Sequence, residues 1–218
     1  MPKQFDLLVF DWDGTLMDSA ATIVASIQAA SRDIGADEPS EAAARHIIGL
    51  GLNEAIAALF PDMKAPDYGR LAERYRVHFM AQDAEIPLFA GADEAIQELH
   101  AEGFLLAVAT GKGRRGLDRV LDHTGLRPYF HATRCADESF SKPHPQMLLE
   151  LMERLGATPD KTLMIGDTSH DLQMAVNAGV PSLGAAYGAH PREGLVGFSP
   201  LACAGTFGEL HQWLRDNA

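Results

Sequence analysis

Two carboxylates one residue apart close an apolar run near the amino terminus: Leu7-Leu8-Val9-Phe10 is followed by Asp11-Trp12-Asp13-Gly14-Thr15. Four consecutive apolar residues bounded by a turn signal fit a buried parallel strand. A strand ending in Asp-x-Asp-Gly places both acids in the crevice at the carboxyl edge of a sheet, where open α/β sheets bind ligands. Carboxylates this close repel and raise each other's pKa, and a hard cation that takes oxygen ligands relieves the repulsion. Asp-Gly after a strand is also an ordinary turn. Three later polar clusters favour the metal-assisted reading: Thr110-Gly111-Lys112, Ser141-Lys142-Pro143 and Gly166-Asp167-Thr168-Ser169-His170-Asp171.

Together these clusters hold a carboxylate nucleophile, a hydroxyl, an ammonium and further carboxylates, the parts of metal-assisted phosphoryl transfer. Attack by Asp11 on a phosphate dianion brings like charges together. Each such pair at about 4 Å costs roughly 4 kcal/mol at an effective dielectric of about 20. Two pairs amount to several powers of ten in rate. Magnesium held by Asp11 and Asp167 offsets that cost, and Lys142 adds a second positive charge.

The elements that must position these groups alternate. Apolar runs at 7–10, 104–109, 162–165 and 182–185 read as strands, with a weaker one at 130–133. Between them Ala92, Ala95, Ile96 and Leu99, then 115–123, then Leu148, Leu151, Met152 and Leu155 after Pro145, then Leu172, Ala175 and Val176 give helix faces, and 207–215 closes the chain as a helix. This alternation predicts an α/β fold, a Rossmann-like doubly wound parallel sheet. In a parallel sheet all carboxyl ends point one way, so the four clusters converge. Asp18 and Ser19 offer helix-start chemistry, and Ile23, Ile27, Ala30 and Ile34 follow at helical spacing. Stretches 42–48, 54–60 and 68–80 also read as helical, with no strand between them. The block 17–85 is therefore an inserted α-helical cap domain on a core of residues 1–16 and 86–218. Inserted just after Asp13, it sits beside the crevice as a lid.

Composition sets the bounds. A hydrophobic content of 46% supports a full core, and a net charge of −12 argues against a nucleic-acid binder. Cys135 and Cys203 lack metal-ligand spacing and read as free thiols. Neither a signal peptide nor a stretch of transmembrane length is present, so a soluble cytoplasmic protein without membrane partners is expected.

The four motifs, in this order and spacing, resemble the haloacid dehalogenase superfamily, in particular its phosphoglycolate-phosphatase-like branch with a helical cap. Asp11-Trp12-Asp13-Gly14-Thr15-Leu16 matches the first motif, Thr110 the second, Lys142-Pro143 the third, and Gly166-Asp167 with Asp171 the fourth. The resemblance implies that Asp11 forms an aspartyl-phosphate and that Asp13 protonates the leaving oxygen, then activates water. It implies that Thr110 and nearby backbone N–H groups, such as that of Gly111, hold the phosphate, and that Lys142 pairs with Asp11. It implies a Mg2+ cofactor bound by Asp167, a carboxylate oxygen of Asp11 and the backbone carbonyl of Asp13, with Asp171 ordering the metal's water shell or Lys142. The second acid, Asp13, favours phosphate chemistry over the dehalogenation that names the superfamily. The family often carries Asn where Gly111 stands, so an amide contact is missing here.

In the cap, Arg45, His46 and the loop 49–53 resemble the segment that faces the core site. Arg45 suits a bidentate contact to a substrate carboxylate, or it is an exposed helix arginine. Asn53 is a second substrate contact or a helix cap. Lys112 reads as a solvated helix-start charge rather than a substrate contact, Trp12 as core, and His144 and His170 as loop residues. Met147, Met152, Met164 and Met174 fall on apolar faces. The expected partner is a small phosphorylated metabolite, hydrolysed by a monomer or homodimer. A sugar phosphomutase and a non-catalytic phosphate-binding module are the alternatives.

Overall fold

The computed structural model describes residues 3–218. Its strands are β1 (Leu7–Phe10), β2 (Leu105–Thr110), β3 (Ala132–Cys135), β4 (Thr162–Gly166), β5 (Ser182–Ala185) and β6 (Cys203–Ala204). The helices are α1 (Ala20–Ile34), α2 (Glu41–His46), α3 (Leu52–Leu59), α4 (Ala65–Met80), α5 (Ala92–Ala101), α6 (Arg114–Thr124), α7 (Gln146–Leu155), α8 (Ser169–Ala178), α9 (Arg192–Val196) and α10 (Phe207–Asn217). All strand pairs are parallel, in the order β3-β2-β1-β4-β5-β6.

β1 is buried along its whole length because it lies at the centre of the sheet with a side-chain layer on each face. Leu8 and Phe10 join a core with residues of α5, α6 and α10, while Leu7 and Val9 pack with Met147, Leu148 and Leu151 of α7 and Met174 of α8. The period-2 alternation of side chains accounts for the two sets. The four methionines read as core are all buried. The chain steps outward from β1 to β2 and β3, then returns to place β4 on the other side of β1. This reversal opens a crevice between the carboxyl ends of β1 and β4.

The helical insertion α1–α4 follows β1 and is built on the packing of α1 along α4. Its apolar residues Ile27, Ile56 and Leu71 continue into the core that holds Trp12 and Leu16. The two strands of chain that join it to the sheet run side by side. Met17 bridges Leu88, Asp18 N–H donates to the Pro87 carbonyl at 3.0 Å, and Phe89 N–H donates to the Leu16 carbonyl at 2.9 Å.

Several boundaries differ from the sequence reading. β3 begins two residues later than expected because Arg127–Tyr129 forms a short 3-10 turn first. Pro145 is the amino-terminal cap of α7. α4 starts at Ala65, and the Pro66 in its first turn loses no hydrogen bond there. α9 and the two-residue β6 were not expected. Cys135 and Cys203 are free and lie on the two opposite edge strands, too far across the sheet to pair. No helix among the described residues is long and apolar enough to cross a membrane.

Candidate active site

The four polar clusters meet at the carboxyl edge of β1, β2 and β4. Asp11 follows β1 directly and is 1% exposed. Lys142 reaches it from the loop before α7, with its ammonium 2.6 Å from Asp11 Oδ1 and 2.6 Å from Asp171 Oδ1. Asp167 follows β4. Its carboxylate accepts from the Thr15 hydroxyl at 3.0 Å and from Ala189 N–H at 2.7 Å. Asp171 is held by a capping box at the start of α8. Its Oδ2 accepts from Thr168 N–H at 3.1 Å and from the Thr168 hydroxyl at 2.7 Å, and Thr168 Oγ1 accepts in return from Asp171 N–H. The site thus uses an ordinary helix cap to aim a carboxylate.

Glycine is required where this network is tightest. Gly14 has φ +80, and a Cβ there would overlap the Asp167 carboxylate.

Asp11, Asp167 and Asp171 each offer one carboxylate oxygen, and the three lie within 4.8 Å of one another. Asp11 Oδ2 is buried with no hydrogen-bond partner. A buried acceptor of this kind is costly unless something positive meets it. Hard oxygen donors around one such atom fit Mg2+. Burial raises the Asp11 pKa to about 7, with Asp171 and Asp13 adding to the shift and Lys142 opposing it. Burial also lifts Asp167 well above the carboxylate range, with Asp11 and Asp171 contributing. For Lys142 burial works against the charge, but the carboxylates of Asp11 and Asp171 outweigh it and hold the pKa above that of ordinary lysine.

The Asp13 carboxylate stands apart from this cluster. Its Oδ1 accepts from the Ser19 hydroxyl at 2.6 Å and lies 3.0 Å from the Lys112 ammonium. Both contacts correct the sequence reading. Ser19 precedes α1 as its cap residue, but its hydroxyl turns to Asp13 instead of the helix N–H groups. The Lys112 side chain is 9% exposed, so it is not a solvated charge. Its ammonium lies 4.6 Å from the centre of the Phe79 ring of α4, close enough for cation–π attraction. Thr110 is fully buried, and its Oγ1 accepts from Lys112 N–H at 3.1 Å. That leaves the Thr110 hydroxyl proton free to donate to another group.

The cap loop lies directly on the core motifs. His46 ends α2, and its carbonyl accepts from His170 Nε2 at 2.8 Å and from His190 Nε2 at 3.2 Å. His190 Nδ1 accepts from Ser169 N–H at 3.0 Å, which fixes the proton on Nε2. The three imidazoles pack with centroids 5.2–5.5 Å apart. Burial first, then the neighbouring imidazoles, push His190 down to about 4. Gly51 N–H donates to Ser141 Oγ at 2.8 Å. Gly111 lies under this loop, and a Cβ on it would be 2.6 Å from the Gly49 carbonyl oxygen and would overlap that of Leu50. An Asn side chain at 111 has no space against this loop.

The two cap residues expected at the site do not contact these groups. Arg45 pairs with Glu41, one turn earlier on α2, at 3.0 Å. Asn53 is exposed in the first turn of α3, whose cap residue is Gly51. His170 is not a bystander, since it clamps the cap. His144 stacks on the exposed Phe140 ring at 4.5 Å and stays in its loop. Trp12 is fully buried under the strand, as expected.

A doubly wound sheet, a helical insertion after the first strand and buried acids after β1 and β4 define a hydrolase of the haloacid dehalogenase-like type. The chain belongs to that family, whose pattern its residues 8–185 match. It is 36% identical over 209 residues to "Probable phosphatase IndB" of Dickeya dadantii, covering 94% of this chain and 91% of that one. It is 32% identical over 188 residues to a phosphoglycolate phosphatase of Agrobacterium fabrum, covering 84% and 81%. A hydrolase structure from Pseudomonas syringae superposes with a TM-score of 0.89 at 23% identity, over 97% of this chain and 98% of that one, and shares its fold.

Proposed function

We propose that this protein is a Mg2+-dependent phosphatase that hydrolyses a small phosphomonoester through an aspartyl-phosphate on Asp11. The observation that carries this reading is the Asp11 carboxylate. One oxygen is held by Lys142, and the other is buried without a partner beside Asp167 and Asp171. Magnesium, when bound among Asp11, Asp167 and Asp171, supplies positive charge against the nucleophile and the phosphoryl oxygens. The remaining chemistry belongs to the chain. Asp11 attacks phosphorus, the bond to the leaving oxygen breaks, and Asp13 gives that oxygen its proton. Water then attacks the phosphorus as Asp13 takes its proton, the bond from Asp11 to phosphorus breaks, and inorganic phosphate leaves. Lys142 holds Asp11 in line, and Thr110 donates to the phosphoryl group. The cap loop excludes bulk water. A phosphoglycolate-like substrate is supported by the relative that bears that name. Phosphate release is expected with Mg2+, lost with chelator and lost in Asp11→Asn. Full turnover in chelator, or in Asp11→Asn, would refute the mechanism. Isomerisation of a sugar phosphate without release of phosphate would replace it with a mutase.

A further inference from the structure

We propose that Lys112 selects phosphomonoesters whose leaving group carries a carboxylate on the carbon next to the ester oxygen. This rests on the reading of Asp13 as the acid that meets the leaving oxygen. Such an oxygen must come within about 2.6–3.2 Å of the Asp13 carboxyl group. The Lys112 ammonium already lies 3.0 Å from Asp13 Oδ1. Leaving oxygen and ammonium are therefore neighbours on one carboxylate. A substituent on the ester carbon is thus within reach of Lys112.

The surroundings make that ammonium available to a substrate and to little else. Its side chain is 9% exposed, so solvent does not satisfy it. Phe79 covers one side and offers only its π face. Among the described residues, the cations paired with Asp11, Asp13 or Asp171 are Lys142 and Lys112. Lys142 is shared by two buried carboxylates and is committed to the nucleophile. Arg45, the cap residue suited to a carboxylate, is turned to Glu41. Gly111 carries no side chain, so Lys112 is the polar group that this loop extends toward Asp13. A carboxylate donated by the substrate meets a desolvated ammonium, where charge-assisted hydrogen bonds are strongest. A methyl group in the same place leaves Lys112 with Asp13 alone.

The test compares 2-phosphoglycolate with ethyl phosphate, which differ in the carboxylate. Both are assayed on the wild type, Lys112→Met, Lys112→Arg and Arg45→Ala. Lys112→Met is expected to lower the ratio of kcat/KM for the two substrates at least about tenfold, and Lys112→Arg to recover part of it. Binding of both compounds to Asp11→Asn, with and without Lys112→Met, should show the same loss of preference by calorimetry. Lys112→Gln serves the same purpose if the methionine variant does not fold. An unchanged ratio, or an equal fall for both substrates, overturns the proposal, because Lys112 then acts only through Asp13. A ratio that collapses in Arg45→Ala but not in Lys112→Met also overturns it. If Asp11→Asn still turns over, the phosphatase mechanism fails; if the wild type releases phosphate from neither compound, the phosphoglycolate-like substrate fails. The binding preference then decides the role of Lys112 on its own.

Discussion

Gly111→Ala is the smallest change that separates cap closure from chemistry. The φ of Gly111 is not positive, so alanine brings no backbone strain of its own. The obstacle is the cap loop. A Cβ at 111 would be 2.6 Å from the Gly49 carbonyl oxygen, whereas an ordinary carbon–oxygen contact is about 3.3 Å or more. Relief therefore needs a shift of about 0.7 Å or more, since 3.3 less 2.6 is 0.7. The opposing atoms are backbone, and the loop is held at one end by His170 and His190 and at the other by Ser141. Overpacking of this kind costs about 1–3 kcal/mol, or roughly 5- to 150-fold in an equilibrium or a rate. An open cap removes the overlap, so stability falls by no more than opening the cap costs. We therefore expect kcat/KM to fall by up to that factor, while the melting temperature falls by less than the several degrees that the full overlap would take from a chain of this size. Steady-state phosphate release and a thermal melt on the same samples test this. Wild-type kcat/KM in Gly111→Ala would refute the idea that turnover requires the loop in this position.

Two further outcomes follow from the buried acids. Asp11 has a folded pKa of about 7, above its unfolded value of 3.8, so the folded protein binds the extra proton. Without metal, stability should fall as pH rises from about 4 to about 7, and metal-free Asp11→Asn should melt higher than metal-free wild type at pH 8. Added Mg2+ should reverse the wild-type loss by about 2.7 kcal/mol at a hundred times its Kd, and an Asp11→Asn protein that melts lower than wild type without metal would contradict this. For Asp13→Ala, we expect a smaller loss with p-nitrophenyl phosphate than with ethyl phosphate, because only the alkoxide needs a proton, and a burst of nitrophenolate as the aspartyl-phosphate accumulates. Equal losses without a burst would remove Asp13 from the acid–base role.

The central sheet and the nucleophile were legible because both are written locally. Leu7–Phe10 is an unbroken apolar run, and Asp11 follows it with no intervening turn residue. Asp167 stands in the same relation to β4. β6 escaped notice because two residues at a sheet edge carry no periodicity. Lys112 was misread for a different reason. A lysine just before a helix is usually solvated, and what buries this one is Phe79, which the chain supplies from the cap. Ser19 has the right type and place for a helix cap, yet a tertiary acceptor, Asp13, claims its hydroxyl. The clamp on the His46 carbonyl draws on histidines more than a hundred residues away, and no spacing in the sequence marks them. Arg45 had suitable chemistry, but the residue at i−4 is Glu41, and that local pair takes its guanidinium.

The side-by-side linkers of the cap also bear on how the chain reaches its fold. β1 sits at the centre of the sheet, yet Leu7 pairs with Leu105 on one side and Thr162 on the other. Pairings across such separations are slow to form, although the entropy of closing the loop grows only logarithmically with its length. The contacts between α1 and α4 are far closer in sequence. Once those helices meet, Met17 and Leu88 are brought together, and about seventy residues no longer count toward the search of β1 for β2. On this reading the helical insertion acts as a splint while the sheet assembles, besides its proposed place as a lid.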